Sequence, residues 1–148
     1  MGNKLSTPVI GVNVDYIYTG ATAANQNAPW ALGTRVYGED GSEYVFCQAT
    51  ETIQTASSGV TNGPNAVAID EDGQASLMTT ALALNNYELG FAPIGSGIGS
   101  IAQYNYFWAR VAGSNFNARV SASAAADTYL RTTITPGRLG TASTASAV

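Results

Sequence analysis

One stretch of alternating aromatic and aliphatic side chains constrains the fold more than any other feature of the sequence. Side chains of an extended strand point alternately to its two faces. Tyr104, Tyr106 and Trp108 therefore share one face, and Phe107 and Val111 lie on the other. Because both faces carry apolar side chains, this strand is predicted to lie at the centre of a β-sheet.

The residues after this strand predict its partner in a β-hairpin that extends to Ala124. Gly113 begins a short polar turn, and alternation then resumes with Phe116 and Val120 on one face and polar residues on the other. A strand with one polar face is predicted to be half exposed. The hairpin carries no catalytic group, so it predicts architecture and not chemistry.

Two Asp-Gly pairs predict two further hairpins. Asp40-Gly41 lies between two predicted strands, the second over 43–49, and Asp72-Gly73 lies between two more. Glycine after aspartate supplies the positive φ that tight turns need. Short strands separated by turns, with almost no helical periodicity, favour an all-β fold, a small β-barrel or sandwich built from hairpins.

The chain of 148 residues fits a single folded domain with two distinct ends. We expect an N-terminal arm or strand over 1–18, a β-domain over 19–137 and a low-complexity tail over 138–148. Alternation of Ile10 and Val12 predicts either a strand with one buried face or an arm that reaches another subunit. The tail consists almost entirely of small residues and is predicted to be flexible.

Large apolar side chains at strand spacing are predicted to form the core, because aromatic and branched side chains in such patterns are usually buried. The single cysteine, Cys47, lies among apolar neighbours, so an internal disulfide is excluded and a buried, unreactive thiol is expected. The predicted core residues are Trp30, Phe46, Ile69, Phe91, Trp108, Val111 and Val120.

The composition favours contact with other proteins over contact with nucleic acid or membrane. Charged residues make up 11% of the chain, against about 25% in an ordinary domain. The formal net charge is −4 and no basic cluster exists, so nucleic-acid binding is not expected. No apolar run approaches the length of a membrane span. A surface with few charges suits repeated assembly, because copies pack together without burying unpaired ions.

Clustered carboxylates are the remaining candidates for chemistry. The acidic segment 70–73 suggests a calcium loop, but Thr79 stands at the twelfth position, where such a loop needs a bidentate Glu. Asp70 and Asp72 form a close pair for acid–base catalysis, yet a hairpin turn lacks the enclosing pocket that tunes a carboxylate pKa. The chain contains no His. We therefore predict no catalytic residue, cofactor or metal, and a small hydrolase using this pair is a distant alternative.

Several strand and turn motifs follow one another along the chain: the Thr-Pro-Val-Ile-Gly-Val segment at 7–12 and the segments 30–34, 44–49, 67–75, 89–92 and 108–113. Their order resembles that in the small capsid cement, or head decoration, proteins of tailed bacteriophages. The resemblance covers most of the chain from Pro8 to Leu139. It implies a compact β-domain, commonly a homotrimer, that binds the outer capsid at local threefold positions and clamps neighbouring major capsid subunits.

On this resemblance we expect a structural virion protein and not an enzyme. Its partners would be the major capsid protein and further copies of itself, with neither nucleic acid nor membrane. It would be made in the host cytoplasm and located on the outer capsid surface. Candidate contacts with the capsid or a sister subunit are Leu5, Pro8, Val9, Ile10 and Val12.

The alternative function is a carbohydrate- or receptor-binding β-module of a virion or cell surface. Tyr104, Tyr106 and Trp108 would then form a platform on which a sugar ring stacks. Core packing is the more common use of an aromatic stripe at strand spacing, so the two hypotheses differ in the exposure of these rings.

Overall fold

The computed structural model describes residues 11–20, 28–54, 64–93, 99–113, 118–120, 129–133 and 135–141. Within these ranges the regular secondary structure is nearly all β-strand, with one short helix, which confirms the predicted all-β fold. The strands are β1 (Arg35–Tyr37), β2 (Glu43–Ala49), β3 (Ile53–Gln54), β4 (Ala66–Ile69), β5 (Gln74–Leu77), β6 (Glu88–Phe91), β7 (Ser100–Ile101), β8 (Tyr106–Ala112), β9 (Leu130–Thr132) and β10 (Leu139–Thr141), and the helix is α1 (Thr80–Leu84).

Five strands form a closed barrel in the order β2, β5, β4, β6 and β8, with β8 pairing back to β2. The β2–β8 pair is antiparallel and has the longest register, which includes Phe46 opposite Trp108. The β2–β5 pair is parallel, with Ala49 opposite Ala75. Closure removes the free edges that an open sheet of the same strands would have. Strand β1 pairs with β2 outside the ring, and β3 pairs with β7.

Apolar side chains from the ring strands fill the barrel interior. The set includes Cys47 of β2, Val67 of β4 and Phe107 of β8, and all three are fully buried. Burial of a Val or Phe side chain contributes about 1.5–3 kcal/mol. At Gly90 of β6, an added Cβ would lie 2.9 Å from Ile69 Cδ1 and 3.2 Å from Ala109 Cβ, so a larger residue there would require the Ile69 side chain to shift.

Two further apolar clusters cover the outside of the barrel. One lies over β2 and β8 and is centred on Phe46 and Trp108. The other lies over β4 and β6, where Phe91 and Met78 pack with Leu139 of β10. The central strand β8 therefore buries both of its faces, one against the interior and one against an outer cluster, as its alternation predicted.

Both predicted Asp-Gly hairpins are confirmed. Gly41 and Gly73 have φ values of +77° and +75°, the left-handed conformation that glycine adopts without a Cβ clash. In the second turn the Asp70 Oδ1 accepts from the backbone N–H groups of Asp72 and Gln74 at 3.0 and 2.7 Å. This side chain therefore holds the β4–β5 turn closed.

The predicted hairpin over 104–124 is wrong for its described second half. Arg119 N donates to Pro64 O, and Leu139 N donates to Arg119 O. Val120 forms a parallel bridge with Leu139 and not a pairing with β8. The two edges of β8 are already occupied, because β2 pairs along one and β6 pairs with the other.

The predicted boundaries at both ends of the chain also need correction. Residues 11–17 form turns and not a strand, and Val12 and Val14 pack on the outer aromatic cluster of the β-domain. The predicted tail over 138–148 contains strand β10, which pairs with β9 and buries Leu139. Within the described residues, both segments therefore belong to the folded domain.

Candidate functional site

The acidic turn, which we define as 70–72, is the first place to look for chemistry. It borders an open, polar cleft of about 480 Å³ that is also lined by residues 85–87. Asp70 is occupied in shaping the turn, whereas Glu71 and Asp72 are exposed. Among the residues that the structure describes, no three or more His, Cys, Asp or Glu side chains are grouped to hold a metal ion. The cleft therefore offers carboxylate and amide oxygens to a cationic or polar group from outside.

A second carboxylate, Asp40, is held in the turn between β1 and β2. Its Oδ2 accepts from the Ser42 hydroxyl at 2.7 Å and its Oδ1 accepts from the Ser42 N–H at 3.0 Å. These two hydrogen bonds hold the pKa of the Asp40 carboxyl below its usual value, and the Arg110 guanidinium, 3.4 Å away, adds to the effect. Asp40 is a turn-stabilising group, as the hairpin prediction implies.

A three-residue ion network lies where β1, β2 and β6 come together. The Arg35 guanidinium donates to Glu43 at 2.7 Å and to Glu88 at 2.6 Å. The hydrogen bonds to Glu88 and Glu43 raise the pKa of Arg35, so its charge is permanent. The partners are each partly exposed, and such pairs contribute little net stability. The network links side chains of β1, β2 and β6 at the surface of the barrel.

The aromatic stripe proposed as a sugar platform is part of the core. Trp108 is fully buried and Tyr106 is 1% exposed, so neither presents a ring face to solvent. Tyr104 precedes β8, is partly buried and has a φ of +71°. The Phe46 ring lies within 6.0 Å of four other rings. This stripe therefore stabilises the domain and is not available for stacking.

The other predicted core residues divide into three groups. Ile69 and Phe91 are buried, Trp30 and Val111 are partly buried against the clusters, and Val120 is 41% exposed. The placement of Val120 in the core is wrong, because it lies on a short bridge at the surface and not on the partner strand of a hairpin. Val120 instead lies beside strand β10, where it forms a bridge with Leu139.

The thiol of Cys47 is enclosed within the barrel. It is fully buried and contacts the backbone carbonyl oxygens of Val45 and Phe107 at 3.5 and 3.6 Å. Burial raises the pKa of this thiol far above its ordinary value. A protonated thiol without solvent access is a poor nucleophile.

Of the predicted contact residues, Val12 packs on its own domain. Its side chain is partly buried against the outer aromatic cluster, so it anchors the N-terminal segment to the barrel. The predicted contacts at Leu5, Pro8, Val9 and Ile10 lie outside the described residues.

Among the described residues, the most exposed large apolar side chain, Tyr129, lies on a small sheet outside the barrel. We define the C-terminal sheet as β9, β10, Tyr129 and residues 118–120. Tyr129 is 93% exposed and Leu130 is 44% exposed, and Val120 adds to the same sheet. Three arginines, Arg119, Arg131 and Arg138, lie on or beside it, but they are spread over twenty residues of sequence, so no local motif indicates them.

This sheet is attached to one end of the β4–β5 hairpin. Ala66 N donates to Gly137 O at 2.9 Å, and Arg119 N donates to Pro64 O at 3.0 Å. The Arg119 guanidinium also donates to Asn65 Oδ1 at 3.1 Å. These hydrogen bonds make the sheet a fixed projection from the barrel and give its exposed side chains a defined position.

The chain matches no protein-family model, and its comparison with curated proteins and with solved structures found no match. In the described part of the chain, no helix has the length and apolar character needed to cross a membrane.

Proposed function

We propose that this protein is a capsid decoration, or cement, protein of a tailed bacteriophage. It binds the outer capsid surface and stabilises contacts between major capsid subunits, as a homotrimer at local threefold positions. It is made in the host cytoplasm and acts in the assembled virion. The observation that carries the proposal is the exposed apolar surface of the C-terminal sheet, held at a fixed position outside a closed barrel.

Exposed apolar side chains that are fixed by backbone pairing are typical of protein–protein contact surfaces. Tyr129 is almost fully exposed beside the half-exposed Leu130. Tyrosine is enriched in interfaces because its ring buries apolar area while its hydroxyl stays hydrogen bonded. These side chains therefore support protein contact as the function of this sheet.

The barrel and the low charge support the same function. A closed barrel gives a rigid body that transmits force between two attachment points, as a cement protein must do across a capsid seam. With charges at 11% of residues, large contact areas are formed with little cost from desolvated ions. Many such weak contacts over a shell then combine through multivalency.

Binding to expanded capsids tests the proposal. The purified chain is mixed with expanded, undecorated capsids of the phage that encodes it and with unexpanded shells, and each mixture is sedimented. We expect the chain to pellet with expanded capsids only. Failure to pellet with expanded capsids at saturating concentration would contradict the proposal.

A pair of tyrosine variants makes the test specific to the C-terminal sheet. Tyr129→Ser is expected to lower capsid occupancy, whereas Tyr37→Ser, at another highly exposed tyrosine on β1, leaves it unchanged. Binding of the isolated chain to a glycan array, without binding to capsids, would favour the carbohydrate-binding alternative instead.

A further inference from the structure

The arginines of this chain divide into two groups. Arg35 and Arg110 are ion paired with acids of the barrel. In the described ranges, no ion pair involves Arg119, Arg131 or Arg138, the three at the C-terminal sheet. Burial, and to a lesser extent the positive charge of Arg138, lower the pKa of Arg119. Among the residues that the structure describes, these three arginines of the sheet therefore have no acidic side chain as an ion-pair partner.

The acidic turn lies at the opposite end of the same hairpin. The C-terminal sheet is attached at Pro64, Asn65 and Ala66, where β4 begins, and the acidic turn follows Ile69, where β4 ends. Five residues of strand at about 3.3 Å each separate Asn65 from Asp70 by roughly 17 Å. Charges at that distance are largely screened at physiological ionic strength. The attachment point of the sheet and the acidic turn therefore lie more than a Debye length apart along the strand.

Helix α1 leads from the C-terminal sheet toward the acidic cleft. The helix begins near the C-terminal sheet, where the Thr132 hydroxyl donates to the Thr80 hydroxyl at 3.2 Å. It ends at Leu84, which is 79% exposed and precedes the two asparagines that line the acidic cleft. The two ends of the hairpin thus carry charges of opposite sign, with arginines at the C-terminal sheet and exposed carboxylates at the acidic turn.

We infer that the C-terminal sheet of one copy docks on the acidic turn of a second copy, so that the chains associate head to tail. The guanidinium groups of Arg131 and Arg138 then face the carboxylates of Glu71 and Asp72. Opposite charges across such a contact set the register of association and suppress wrong partners.

The charge arrangement disfavours twofold contacts that pair either surface with itself. A twofold contact of the sheet with itself would place arginine against arginine, and a twofold contact of the acidic turns would place carboxylate against carboxylate. A head-to-tail contact avoids both and generates a closed ring when its rotation is a simple fraction of a turn. The inference deepens the proposed function by naming the surfaces through which the subunits of the proposed trimer associate.

Charge reversal tests the inference on the purified full-length chain, without capsids. Sedimentation velocity is measured for the wild type, for Glu71→Lys with Asp72→Lys, for Arg131→Glu with Arg138→Glu, and for the chain that carries all four changes. We expect a closed oligomer for the wild type and a loss of about tenfold or more in association constant for each double reversal. We expect the fourfold variant to recover association, because its charges are again complementary.

The matched control is Asp15→Lys with Glu39→Lys, which changes the net charge by the same amount at exposed acids outside the acidic turn. Circular dichroism verifies folding, and Glu71→Gln with Asp72→Asn replaces the reversal if that variant does not fold. The inference would be overturned if the wild type were monomeric or a twofold dimer. It would also be overturned if each double reversal lowered the association constant no more than the control does, or if the fourfold variant did not recover association. Ring formation without capsid binding would support the inference and contradict only the proposed function.

Discussion

Gly73, in the β4–β5 turn, packs closely against the loop that precedes β1. Replacing it should show how much the close contact between turn and loop contributes to the free energy of unfolding. The residue has a φ of +75°, and a Cβ would lie 2.7 Å from Leu32 Cβ and 2.8 Å from Gly33 N. Left-handed backbone costs a residue with a Cβ about 1–2 kcal/mol. Overpacking against backbone that is held in place costs about 1–3 kcal/mol more. We therefore expect Gly73→Ala to lower the free energy of unfolding by about 2–5 kcal/mol.

Gly41 provides the matched control, because its φ of +77° is almost the same and a Cβ there would meet nothing within 4 Å. Gly41→Ala should lower the free energy of unfolding by about 1–2 kcal/mol, which is the cost of the left-handed backbone alone. With a slope of roughly 2 kcal/mol per molar urea, the midpoints should fall by about 1–2.5 M for Gly73→Ala and about 0.5–1 M for Gly41→Ala. Equal losses in the two variants, measured by tryptophan fluorescence, would refute the tight contact between the turn and the loop.

Three further predictions concern the core, the thiol and the N-terminal arm. Phe46→Ala should lower the free energy of unfolding by about 3–5 kcal/mol in urea, and a loss below about 1 kcal/mol would show that its ring contacts are loose. Above about pH 9, stability of the wild type should fall by about 1.4 kcal/mol per pH unit relative to Cys47→Ala, because the buried thiol keeps its proton while the unfolded thiol ionises. Parallel pH profiles of the two proteins would contradict this reasoning. Deleting residues 2–8 should lower capsid occupancy in the sedimentation assay, and unchanged occupancy would remove the arm from the interface.

Local patterns in the sequence predicted the local elements of the barrel. Alternation over 43–49 matches strand β2, and the Asp-Gly pairs match the two turns. These predictions succeed because they depend on periodicity and on φ preferences, which are properties of neighbouring residues. The burial of both faces of β8 follows from its aromatic and aliphatic composition in the same way.

The choice of strand partners could not be predicted from alternation. Val120 alternates with polar residues as in the second strand of a hairpin, yet it forms a bridge with Leu139. It does not pair with β8, because β2 and β6 already occupy the edges of β8. Composition alone also made the segment from Arg138 look like a tail. One leucine in that segment, Leu139, is enough to dock it on the outer cluster.

At the N-terminus, a side chain competes with the strand pattern. Val12 and Val14 alternate as in a strand, but Asn13 Oδ1 accepts from Asp15 N at 3.0 Å and bends the chain between them. Asparagine stabilises such turns by hydrogen bonding its own backbone two residues on. The valines therefore pack on the barrel from a turn.

The candidate interaction surface was missed because its residues are distant in sequence. Arg119, Arg131 and Arg138 form no charge cluster along the chain, and only the docking of β9 and β10 collects them on one sheet. The acidic turn is a visible motif, but its position at the other end of the hairpin depends on the fold. Charge separation along β4–β5 is therefore a property of the tertiary structure.

Cryo-electron microscopy of expanded phage capsids, with and without the purified chain, tests the central claim most directly. The proposed function predicts added density on the outer surface at local threefold positions, of a size that fits three copies of the barrel. The head-to-tail inference further predicts that the C-terminal sheet of each copy faces the acidic turn of its neighbour. A saturated reconstruction without added density on the capsid surface would contradict the account.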